Sequence, residues 1–96
     1  MIYARFSHSI PYGDFHDELL EFVKSKFTHV ESGHQGDSWI WIFNESERVE
    51  IDTFYSMVHE IKTSHAEAKL VKLVIQALSE KYELQILSNP EAEPHE

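Results

Sequence analysis

Ser38-Trp39-Ile40-Trp41-Ile42-Phe43, the polar turn Asn44-Glu45-Ser46-Glu47, and Arg48-Val49-Glu50-Ile51-Asp52 read together as a β-hairpin, and their pairing decides the fold. Along the first run Trp39, Trp41 and Phe43 point to one side and Ile40 and Ile42 to the other. Both faces are apolar, so this strand belongs in the interior of a sheet. The second run alternates from Arg48 to Thr63, with Val49, Ile51, Thr53, Tyr55, Met57 and Ile61 on one side and mostly charged residues on the other. An even-numbered loop sets Phe43 opposite Arg48, Ile42 opposite Val49, Trp41 opposite Glu50, Ile40 opposite Ile51 and Trp39 opposite Asp52. Ile40, Ile42, Val49 and Ile51 then face the core, while Trp39, Trp41 and Phe43 share the other face with Arg48, Glu50, Asp52 and Phe54. A loop of odd length would exchange the faces.

The alternation raises a question of length. The run over 48–63, fully extended at about 3.3 Å per residue, would span roughly 50 Å, whereas a domain of this size measures about 30 to 35 Å across. It has to bend or break near Ser56, or overhang onto a second subunit. A helix over 53–62, using Phe54, Tyr55, Val58 and Ile61, is the competing reading.

Outward from the hairpin, residues 2–8 alternate and predict a first strand, which Pro11 and Gly13 follow as breakers. Asp14 suits an N-cap, and Phe15, Leu19, Phe22, Val23, Lys26 and Phe27 form a helical stripe over 15–27. Residues 28–34 read as a short strand ending at the turn signals Gly33 and Gly36. Ser64 and Glu67 have capping-box spacing ahead of a second helix, to about Lys81, striped by Leu70, Val71, Leu73, Val74, Ala77 and Leu78. Residues 82–87 give a last strand. The remainder is too polar and proline-broken to fold, so 1–88 reads as one domain and 89–96 as a disordered acidic tail. The pattern predicts an α+β fold with two helices on one face of a mainly antiparallel sheet, ferredoxin-like (split β-α-β) with a long central hairpin.

Net charge is −9, from 17 acidic and 8 basic residues, which opposes nucleic-acid binding because that affinity comes from Lys and Arg neutralising phosphates. Protonating all 7 histidines would bring −9 to −2, so charge-driven behaviour should change below roughly pH 6. There is no cysteine, no signal-like start and no apolar run near the ~20 residues of a membrane span, which together suggest a cytoplasmic protein without membrane contact.

With both helices on one side, the other sheet face would carry Trp39, Trp41, Phe43, Glu50, Asp52 and Phe54, the candidate binding residues. Homodimerisation is the simplest use of such a face, and a basic protein partner, met by cation–π and carboxylate contacts, is the sharper one. The histidines lack metal-ligand spacing, and no nucleophile motif or phosphate-cradling glycine loop occurs, so no cofactor, metal or catalytic residue is expected. The alternative is a small-ligand or enzymatic domain with a His/Asp cleft drawn from Asp52, His59 or His8. By parity His59 falls with Met57 and Ile61, where a buried imidazole needs a partner.

Overall fold

The computed structural model describes residues 1–7, 12–54, 58–64 and 69–92, the side chains of 12–14 excepted. The described residues form β1 (Ile2–Phe6), α1 (Tyr12–Lys26), β2 (Val30–Gln35), β3 (Asp37–Phe43), β4 (Arg48–Asp52), β5 (Glu60–Lys62), α2 (Lys69–Ser79) and β6 (Leu84–Glu91). The sheet runs β2-β3-β4-β5-β1-β6, with every neighbouring pair antiparallel. Strands β1 and β2 are therefore parallel with three strands between them, and β5 and β6 parallel with one between them. α1 and α2 make the two crossovers.

The β3–β4 register pairs Trp39 with Asp52, Ile40 with Ile51, Trp41 with Glu50, Ile42 with Val49 and Phe43 with Arg48, as the four-residue turn requires. Asn44 holds that turn, its Oδ1 accepting from the amides of Ser46 at 3.0 Å and Glu47 at 2.7 Å. At the other end of β3, Gly36 alone links Gln35 to its pairing partner Asp37, and its φ of 83° lies in the left-handed region that favours glycine.

Both helices pack on the isoleucine side. Leu19 and Val23 of α1 and Leu70, Val71, Val74 and Leu78 of α2 close over Ala4, Phe6, Ile40, Ile42, Val49, Ile51 and Ile61 as one core. Each fully buried side chain of this size contributes roughly 1.5 to 3 kcal/mol. The core is built from the alternation, and it leaves the indole side of β3 without a helix.

Three expectations are corrected, and a fourth falls partly outside the described residues. The alternating run is two antiparallel strands, β4 and β5, separated by residues 53–59, so neither one long strand nor a helix over 53–62 forms. The reason is size: the molecule measures 32 × 29 × 24 Å, too short for a roughly 50 Å strand. The bend expected at Ser56 falls outside the described residues. α1 begins at Tyr12, which puts Asp14 in the first turn rather than at the cap. The Ser64/Glu67 cap falls partly outside the described residues, and the first described amides of α2 are met from elsewhere. Glu47, in the β3–β4 turn, accepts from Lys69 N at 3.1 Å and Leu70 N at 3.3 Å, a carboxylate at the positive end of the helix. Finally, β6 passes its expected end at Leu87 and continues to Glu91, which pairs with Ile2 across a register shift. Pro90 is accommodated because β6 is an edge strand. Among the described residues no helix is long and apolar enough to cross a membrane.

Candidate functional site

Trp39, Trp41 and Phe43 stand on the sheet face that neither helix covers, each half-buried. The indoles lie 4.8 Å apart, Trp41 and Phe43 pack edge to face at 6.4 Å, and His29 extends the row at 4.7 Å from Phe43. Arg48 lies over the Trp41 ring at 4.6 Å, where the π-face attracts a cation. Trp39 leans onto β2, where Gly33 is its cross-strand partner. A Cβ at Gly33 would overlap Nε1, Cε2 and Cζ2 of that indole, so a side chain there and this ring position exclude one another.

Beside the aromatic row the same face carries charge at depth. Lys62 Nζ is 2.6 Å from Asp52 Oδ1 and 3.9 Å from Glu60 Oε1. Arg5 then joins Glu60 at 2.9 Å to Glu91 at 2.6 Å. One charge from β4, two from β5, one from β1 and one from β6 alternate in sign across four strands. Asp52, Glu60 and Lys62 are all under 4% exposed although no helix lies above them. Burying ions this deeply is tolerated only when they are paired. Asp52 Oδ1 also accepts from the Phe54 amide at 3.2 Å, and the Phe54 ring sits 5.8 Å from Lys62 Nζ. Two buried polar atoms, Trp41 Nε1 and Glu60 Oε1, have no hydrogen-bond partner among the described residues.

Of the six sequence-derived binding residues, the structure puts Trp39, Trp41, Phe43 and Glu50 on one continuous surface. Asp52 shares that face but is sealed within the ion chain, and Phe54 stands at its end, 42% exposed.

On the opposite side of the sheet lies a constellation that the sequence did not reveal. Ser38 Oγ is 2.6 Å from His16 Nδ1 and 2.9 Å from His59 Nε2, all three residues being buried. A hydroxyl has one proton, so it donates to one imidazole and accepts from the other. His34 stacks on His16 at 4.7 Å, while Phe6 and Phe15 pack against His59 at 5.8 and 5.2 Å. Burial, then the neighbouring His16 and His34, push His59 down to about 4. His16 is lowered by burial first and by His34 next. The only advance signal was the parity of His59, since its partners lie 21 and more positions away in sequence. Asp52 and His59 therefore sit on opposite sides of the sheet and do not form a cleft together. The Ser38 hydroxyl, fully buried, is closed to a dissolved substrate. Among the described residues no group of three or more His, Cys, Asp or Glu could hold a metal ion, and His8 and His65 lie outside them.

Fold and site together define a two-layer α+β protein whose helix-free sheet face bears an aromatic row and a buried ion chain. Comparison with protein-family models, with curated proteins and with solved structures returns no match.

Proposed function

We propose that the protein is a small binding module that receives a positively charged protein segment on its helix-free face. The scaffold reads as a split β-α-β arrangement enlarged by two strands. The observation that carries the proposal is the Trp39-Trp41-Phe43 row, exposed in part between Glu31 and Glu50 and left without a helix. The cations of this face, Arg5, Lys62 and Arg48, are each matched to a carboxylate, Arg48 to Glu50 at 3.7 Å, and the chain as a whole keeps an acidic excess for a partner. Stacking two chains of net charge −9 face to face is opposed by the same excess. Self-association is the second reading, favoured by the open edge of β6, where Ile86 is 59% exposed.

Two measurements separate these readings. Light scattering on the full chain should give the mass of one 11.3 kDa unit, and twice that mass would favour the homodimer. Amide NMR during titration with a ten-residue arginine-glycine peptide should shift β3 and β4 at low salt, and lose most of the effect at about 0.5 M salt. Shifts confined to α1 and its acidic residues would overturn the proposal.

A further inference from the structure

Where β2 turns into β3, Gly33, His34, Gln35, Asp37, Trp39 and Phe54 line a cavity of about 540 Å³ that is open to solvent on one side. We infer that this cavity is a receptor for a single arginine side chain, whose guanidinium stacks against the aromatic wall and is held by the Asp37 carboxylate. The inference rests on the proposed function and names the anchor that the charged segment would insert.

The lining chemistry selects the ligand. Three rings, those of Trp39, Phe54 and His34, and one carboxylate line the space, and among the described residues no lysine or arginine does. Lys62 Nζ, 5.8 Å from the Phe54 centroid, is neutralised by Asp52 at 2.6 Å and does not repel a second cation as a bare charge would. A phosphate or carboxylate ligand would meet Asp37 with like charge. A guanidinium suits the lining better than an ammonium, because it is planar, stacks on rings and grips a carboxylate through two parallel N–H donors. The volume lies within the ~300 to 1,000 Å³ of ligand sites.

The local sequence is shaped for this cavity rather than for the strand. Glycine in a strand weakens it and often marks a close approach. Among the described residues Gly36 is the glycine with positive φ, so the backbone at Gly33 makes no demand for glycine. The indole of Trp39 does, because it occupies the place of a Cβ. Phe54, at 42% exposed, is one of the few large apolar side chains among the described residues left in solvent, and it forms part of the lining.

The test uses the same arginine-glycine peptide beside two counterparts, one with citrulline and one with lysine at each arginine position. Asp37 and Phe54 are both exposed, so Asp37→Asn and Phe54→Ala should keep the wild-type amide spectrum away from the cavity. The expected result is binding weakened about tenfold by Asp37→Asn and about threefold by Phe54→Ala, with the Trp39 indole signal shifting in the wild type. The citrulline peptide should fail to bind, and the lysine peptide should bind about threefold more weakly. If both variants bind within twofold of wild type while β3 and β4 amides still shift, the cavity is not the anchor, although the wider face still docks the peptide. Equal binding of the lysine peptide overturns the arginine assignment. A peptide that moves no amide on the helix-free face removes both this inference and the reading beneath it.

Discussion

On the helix-covered side of β3, Ser38 is buried between two imidazoles at 2.6 and 2.9 Å, and on the helix-free side Lys62 is buried between carboxylates at 2.6 and 3.9 Å. The first cluster is boxed by Phe6 and Phe15 and kept neutral, its His59 pushed down to about 4 by burial. The second is fully ionic and runs from buried Asp52 to exposed Glu91. Under the helices, polar groups survive by giving up charge and sharing one hydroxyl. Across the sheet they survive by pairing, one strand supplying the counter-ion of the next. A helix overhead is therefore not what makes a residue deep in this protein.

Breaking the ionic side should have the largest effect. Lys62→Met strands the buried Asp52 and should cost about 3 to 5 kcal/mol in urea unfolding, with the added change Asp52→Asn restoring a good part. A cost under about 1 kcal/mol for the single change would mean the pair is not buried as described. Acid tests the neutral side. The unfolded chain takes up a proton at His59 near pH 6.5, whereas the folded protein resists until about 4. Stability from this group is thus fully present above pH 6.5 and falls as pH drops towards 4, by about 2 to 3 kcal/mol at pH 4.5. The readout is the difference between wild type and His59→Asn in urea midpoints at pH 7 and 4.5, because other carboxylates titrate in both. Parallel pH dependences in the two proteins would show that His59 is not the group responsible. The smallest effect belongs to the outer end of the ion chain. Glu91 is 53% exposed at its side chain, so Glu91→Gln should cost under about 0.5 kcal/mol. A loss comparable to that of Lys62→Met would make the chain one cooperative unit instead of a buried pair with an exposed extension.

The central hairpin was legible because two signals agreed: an even turn and an apolar-against-apolar pairing that only one register allows. The break in the second run was legible from length and not from residue types, because 53–59 keep alternating and contain neither glycine nor proline. What alternation cannot give is depth. It put Asp52 on the helix-free face but offered no sign that Asp52, Glu60 and Lys62 would be buried there as a paired cluster, since that depends on which strands come together. The Ser38 cluster was hidden for the same reason, as was Glu47 capping a helix 22 positions away. At the candidate site the row of rings could be read off β3 alone, but the cavity needed Gly33 and Phe54 from two other segments to meet it.

The first strand of the chain lies between the fifth and the last. During synthesis β2, β3 and β4 can zip together in order of emergence, each finding its neighbour one short turn away, while β1 waits. Its inner seam closes only once residues 60–62 exist, and its outer seam only after residue 84 has left the ribosome. On this topology a nascent chain halted before the last described strand would carry an unsealed edge at Ala4 and Arg5.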